Sequence, residues 1–226
     1  MEHIFLSHSS KDKSFVRMLA ADIKASGDGI WLDEIELQVG DSLTGSISSA
    51  IREARYLIAF LSENSLNSYW VEKELELAST GGIANKCISV LPLLIGRIRL
   101  GDIPSSLKDL LFLDFRDAAQ YDAAFHKLLR RVKPDFKSEK ILNIDSFRAD
   151  QLVEFAHDPL LRDWVVDYLI GALPGRIDPT EKYWSYIALA KINSRKAKER
   201  IQLGFVEETN EFARLGAEEG LELLKK

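Results

Sequence analysis

Apolar positions in the first half of the chain follow two alternating rhythms. Short β-branched or aromatic runs fall at Ile4 to Ser7, Gly29 to Asp33, Tyr56 to Ser62, Ile88 to Ile95 and Leu111 to Phe115. Several are apolar throughout, as strands covered on both faces are. Between them, Phe15, Val16, Leu19, Ala20 and Ile23 recur at helical spacing, as do Leu43, Ile47, Ala50, Ile51 and Ala54, each set forming one apolar face. A further helix carries Phe125, Leu128, Leu129 and Val132 ahead of Pro134. The missing amide hydrogen of that proline, and its restriction of Lys133, predict a break there. Alternating strands and helices predict an α/β domain with a flavodoxin-like, five-stranded parallel sheet.

After about residue 140 no strand pattern remains, and helices follow one another behind capping signals such as Asp158-Pro159 and Asp178-Pro179. Pro174-Gly175 separates two of them. Leu152, Phe155, Trp164, Tyr168, Trp184, Ile187, Ile201 and Phe212 require these helices to pack on one another or on a partner. The runs Ile187-Ala188-Leu189-Ala190 and Arg214-Leu215-Gly216-Ala217 resemble HEAT-type repeats, although no exact repeat period is visible. The expected organisation is an α/β domain over 1–133, a linker over 134–144 and an all-helical module over 145–226.

Composition narrows the classes of function. An apolar fraction of 46% over 226 residues allows a sizeable core. There is no uninterrupted apolar run of about 18 residues, and Met1-Glu2-His3 leads straight into a strand-like segment, so a cytoplasmic, non-membrane protein is expected. A net charge of −5 lacks the basic footprint that nucleic acid or an anionic membrane requires. Cys87 is the only cysteine, which excludes an intramolecular disulfide and a multi-cysteine metal site. It reads as a small buried hydrophobe, not a nucleophile. His3, His8, His126 and His157 lack the spacing of helical zinc motifs, and no metal is expected.

The opening IFLSHSSKDK, an amphipathic helix and then GIWLDEIELQVGDSL resemble the first two sequence boxes of Toll/interleukin-1 receptor-like (TIR) domains. The order continues through SISSAIREAR, YLIAFLS, NSLNSYWVEKELELA and ISVLPLLI, so the resemblance covers roughly residues 1 to 133. Val39 before Gly40, where many animal receptor TIR domains carry proline, directs the resemblance to the bacterial and plant-like branch. No counterpart of the Phe-Trp third box is found.

Trp70 and Glu74 stand four apart in SYWVEKELELA and would share one face of a helix. In the NAD-cleaving TIR enzymes that this segment resembles, the glutamate ending that motif is catalytic, so the resemblance places catalysis on Glu74, with Glu72 and Glu76 pointing elsewhere. One carboxylate suits the chemistry. Nicotinamide in NAD is already cationic and departs neutral, whereas ordinary glycosides need a second acid to protonate the leaving oxygen. A fixed carboxylate near the ribose can stabilise the positive charge that develops. The plain alternative is that Glu72, Glu74 and Glu76 merely favour and solvate a helix.

Ser7, His8 and Ser9 are expected after the first strand, and Asp33 at the end of the second, where parallel sheets open their ligand crevice. Gly40 lies in a loop able to fold over a nucleotide or serve self-association. These residues are candidates for binding NAD; the alternatives are turns or caps for the serines and aspartate and simple exposure for His8. Trp70 either stacks on the nucleotide or packs on the sheet. Trp31, Trp164 and Trp184 read as packing residues.

Neighbouring classes fail on their residues. A phosphoacceptor receiver needs acidic residues after the first strand and an aspartate ending the third, where Ser7-His8-Ser9 and Leu61-Ser62-Glu63 stand; no GxxxxGK[ST] loop occurs; and Gly40-Asp41-Ser42-Leu43-Thr44 lacks the second glycine of a nucleophile elbow. The resemblance implies an NAD glycohydrolase that yields ADP-ribose or a cyclic isomer in defence signalling, activated by self-association, with NAD as substrate and no further cofactor. The helical module would receive a protein or small-molecule trigger, set oligomer geometry or restrain the enzyme. The alternative is a noncatalytic adaptor acting through TIR–TIR and helical contacts.

Overall fold

The computed structural model describes residues 2–27, 30–37, 54–66, 89–103, 111–134 and 142–225. The chain divides into two compact units: Met1–Asp117 with Ala123–Glu139, and Ala118–Asp122 with Lys140–Lys226.

In the first unit, β1 (Glu2–Ser9), β2 (Ile30–Leu37), β3 (Tyr56–Leu61), β4 (Ser89–Leu94) and β5 (Leu113–Asp114) form one sheet. The order is β2-β1-β3-β4-β5 and every neighbouring pair is parallel. This is the doubly wound order in which the direction of winding reverses between β1 and β3. β3 is buried along its whole length, which is why it reads as a continuous apolar run. α1 (Lys13–Ala25) buries Phe15, Val16, Leu19 and Ile23 together with Met18 and Asp22. It stops at Ser26, whose hydroxyl donates to the Ile23 carbonyl at 2.7 Å, and at Gly27, whose φ of +114° suits glycine. α2 is the single turn Glu63–Leu66. α3 (Tyr121–Val132) buries Phe125, Leu128, Leu129 and Val132 completely.

β1 reaches two residues further at each end than expected, and β2 and β5 also differ. β2 continues past Asp33 to Leu37, in register with β1 through Ser9. Glu34 and Glu36 make this stretch read as loop, but an edge strand is held by its neighbour's backbone and need not be apolar. β5 contracts to Leu113–Asp114, and the Asp114 Oδ1 accepts from the amide of Arg116, just beyond it, at 3.1 Å and from Arg116 Nε at 2.8 Å. In the helical set from Leu43 to Ala54, only Ala54 lies within the described residues, and it is buried.

The second unit comprises α4 (Ser146–Phe155), α5 (Pro159–Ala172), α6 (Pro179–Ile192), α7 (Arg195–Glu207) and α8 (Glu211–Leu223). Asp158 and Asp178 cap α5 and α6 by accepting from the Leu160 and Thr180 amides, each with proline at the first helical position. α6 buries residues around most of its circumference, as a central helix does. Glycines let α7 and α8 approach closely: a Cβ at Gly204 would meet the Tyr186 ring, and one at Gly216 would lie 2.6 Å from Tyr183 Cα. Phe212 stacks one face on Tyr183 with ring centroids 5.0 Å apart yet remains 45% exposed. Tyr121, wholly buried, sits edge-on to Trp164 and Tyr168 at 5.1 and 5.4 Å. Arg176 is enclosed beside them and pairs with Glu181 at 3.0 Å.

Candidate functional site

The polar rim lies at the carboxyl ends of β1 and β3, where the winding reverses. β1 runs through Ser9, so Ser7, His8 and Ser9 are its last three residues, not residues that follow it. Ser7 pairs with Ile35 and Ala59, and Ser9 with Leu37. Successive side chains of a strand alternate between faces, which puts Ser7 and Ser9 on one side of the sheet and His8 on the other. His8 is 0% exposed, which excludes simple exposure, and its ring stands edge-on to Phe60 at 6.4 Å. Ser7 is buried, and its Oγ has no hydrogen-bond partner among the described residues. Ser9 precedes a short 3-10 turn but makes no side-chain capping bond.

Asp33 does not end its strand. It pairs with Phe5 in mid-strand, four residues before Leu37, so its backbone lies upstream of the rim formed by Ser7 to Ser9. Gly40, Trp70 and Glu74 lie outside the described residues, as does Cys87.

Beyond the serines and His8, the rim contains a network that the sequence does not announce. Ser62, immediately after β3, caps α2: its Oγ accepts from the Asn64 and Ser65 amides at 3.0 and 3.1 Å. The same hydroxyl donates to Asp12 Oδ2 at 2.5 Å, and Asn64 Nδ2 donates to Asp12 Oδ1 at 2.7 Å. Each oxygen of the Asp12 carboxyl, beyond β1, therefore accepts from a residue beyond β3. Glu63 turns the other way and accepts the Arg97 amide at 2.9 Å, just past β4. Ser65 Oγ closes the turn by accepting the Ser62 amide at 2.8 Å.

Burial raises the pKa of Asp12 above the ordinary carboxyl value; the hydrogen bonds from Ser62 and Asn64 oppose that shift, the charge of Glu63 adds to it and that of His8 opposes it. The donors to Asp12 are neutral, so among the described residues no hydrogen-bonded cation offsets the loss of water around this carboxyl. The sequence does hold one local sign of the network, because a serine at a strand end followed by Glu-Asn-Ser is a helix-capping pattern. The partnership with Asp12 spans 50 residues and has no local signature.

No group of three or more His, Cys, Asp or Glu side chains among the described residues could hold a metal ion. No described helix is long and apolar enough to cross a membrane.

A doubly wound parallel sheet with a polar rim at its reversal point is the architecture in which α/β domains place their ligand crevices. The profile of the TIR domain matches residues 4–129, more than half of the chain, and the chain belongs to the TIR domain family. It is similar to the NAD(+) hydrolase TcpC of Escherichia coli O6:H1, 39% identical over 90 residues that cover 39% of this chain and 29% of that protein. It is also similar to the 2' cyclic ADP-D-ribose synthase AbTIR of Acinetobacter baumannii, 40% identical over 32% of this chain and 28% of that protein. A third relative is the NAD(+) hydrolase PdTIR of Paracoccus denitrificans, 39% identical over 32% of this chain and 25% of that protein. The matched stretches thus span under a third of these relatives' own lengths.

Proposed function

We propose that the chain is an NAD glycohydrolase in which Glu74 is the catalytic carboxylate. The observation that carries this reading is identity of 39 to 40% with proteins named for NAD hydrolysis or cyclic ADP-ribose synthesis, joined to the Trp70–Glu74 spacing. The bond between the ribose anomeric carbon and the nicotinamide nitrogen breaks, and its electron pair leaves with neutral nicotinamide. The sugar becomes electron-poor, and the Glu74 carboxylate stabilises it. Water then adds and loses a proton to give ADP-ribose, or a nucleophile of the same dinucleotide closes a cyclic isomer.

Ser7, His8, Ser9, Asp33, Gly40 and Trp70 form the proposed NAD-binding set, with NAD as substrate and no further cofactor. Because Ser7 and His8 are buried and Ser9 at the end of β1 is partly exposed, we assign direct contact to Ser9 and support of the rim to Ser7 and His8. Residues 1–133 are the proposed catalytic domain, 134–144 the linker and 145–226 a HEAT-like module that receives a trigger. The proposed setting is cytoplasmic defence signalling, with activity raised by self-association through the TIR domain.

The test is nicotinamide release from NAD by concentrated full-length protein, compared with Glu74→Ala after both are shown to be folded. Loss of at least about a hundredfold in rate is expected, the scale on which a single electrostatic group acts in a transition state. Equal release by both proteins removes Glu74 from the role; no release from either, even at high concentration, favours the noncatalytic adaptor.

A further inference from the structure

We propose that the turn Ser62-Glu63-Asn64 is a positioning hub that fastens the exits of β1, β3 and β4 together and sets the start of the segment carrying Trp70 and Glu74. The proposal rests on the NAD-cleaving reading above and adds Asp12, Ser62, Glu63 and Asn64 to it as positioning residues. Three consecutive side chains reach in two directions: Ser62 and Asn64 hold the two oxygens of Asp12, and Glu63 holds the amide of Arg97. Gly96, next to that amide, has φ +68°, and a Cβ there would stand 2.5 Å from Glu63 Oε2. The left-handed φ at Gly96 suits glycine at the β4 exit, beside the Glu63 carboxylate.

The chemistry of the hub is more specific than its packing. Ser62 Oγ has spent both acceptor positions on the Asn64 and Ser65 amides, so its one hydrogen must go to Asp12. Asn64 also acts as donor to Asp12. Position 12 must accept twice, which a carboxylate does and an amide in the same orientation does not. α2 is one turn long and too short to hold its own direction, so its entry geometry comes from these side chains. Trp70 and Glu74 follow within eight residues of its end in the sequence, so the hub fixes the point on the rim from which the chain departs toward them.

An exchange of the two residues tests this directly. Asp12→Asn turns an amide NH2 group toward a donor, and Asn64→Asp sets two carboxylates against each other. With both changes, the new amide at position 12 accepts through its carbonyl oxygen from Ser62 and donates through its NH2 group to the new carboxylate at position 64. Every hydrogen bond is then restored, with the charge moved across. Each single variant is expected to lower kcat for nicotinamide release about ten- to hundredfold with KM within about twofold, as loss of a supporting interaction does. The exchange should recover kcat to within about threefold of the parent.

Recovery of melting temperature without recovery of kcat overturns the proposal, because a merely structural network would be satisfied by restored folding alone. If both single variants fail to fold, Glu63→Ala is the substitute, since it removes the exposed tie to Arg97 without burying a charge. Its kcat should fall about tenfold, and a kcat equal to the parent's overturns the hub. An active parent matched in rate by folded Asp12→Asn and Asn64→Asp overturns the hub and leaves the glycohydrolase standing. A parent no more active than Glu74→Ala overturns both.

Discussion

The two units bury charge in opposite ways. At the rim of the α/β unit, the Asp12 carboxyl is surrounded by neutral donors, Ser62 and Asn64, and its proton affinity is raised. In the helical unit, the Arg176 guanidinium meets the Glu181 carboxylate at 3.0 Å with both side chains almost wholly covered, and it also donates to the Leu142 carbonyl and the Tyr168 hydroxyl. An ion pair of that kind specifies one arrangement of helices and resists change. A carboxyl held by neutral donors keeps its geometry while remaining able to titrate. The second arrangement suits a ligand crevice, and the first a scaffold.

The contrast is broken most forcefully at Arg176. Arg176→Met leaves Glu181 buried without its cation and should cost about 3–5 kcal/mol in denaturant unfolding. Adding Glu181→Leu should return most of that loss, because the uncompensated charge is then removed. A single variant as stable as the parent would show that the pair holds nothing together.

Packing in the same unit is tested by Gly216→Ala, whose new methyl group would press on Tyr183 backbone atoms at 2.6 and 2.9 Å. A loss of about 1–3 kcal/mol is expected, and a change near zero would mean that α8 shifts without cost.

The smallest expected effect lies at Asp12. Folding raises the pKa of Asp12, so the folded chain holds that proton more tightly than the unfolded chain. The associated stability is complete below the unfolded carboxyl pKa and is lost as pH rises through the folded one. The charges of Glu63 on α2 and His8 on β1 act on the same carboxyl in opposite directions. In unfolding free energy measured against pH across the acid range, Asp12→Asn should flatten this decline relative to the parent. An unchanged slope would mean that another group produces it.

What can be read from the sequence is what is decided locally. β3 announces itself because both its faces are covered, and Asp158-Pro159 and Asp178-Pro179 announce their helices because capping involves neighbours in the chain. The end of β2 escapes because Glu34 and Glu36 look like loop, while the pairing that extends the strand comes from Ser7 to Ser9, more than twenty residues away. The site divides in the same way. The position of Ser7 to Ser9 at the carboxyl end of β1 is legible from the apolar run before them, whereas Asp12 looks like part of a helix start and Ser62 like a strand end. Their bond exists only once β1 and β3 lie side by side.

The proposed reaction needs a negative charge at position 74 to drive the departure of nicotinamide. Glu74→Gln keeps the size of the side chain and removes only the charge, so its rate of nicotinamide release at saturating NAD is to be measured beside the parent's, both at equal melting temperature. A fall of at least about a hundredfold is predicted; a rate matching the parent's removes the charge from the reaction.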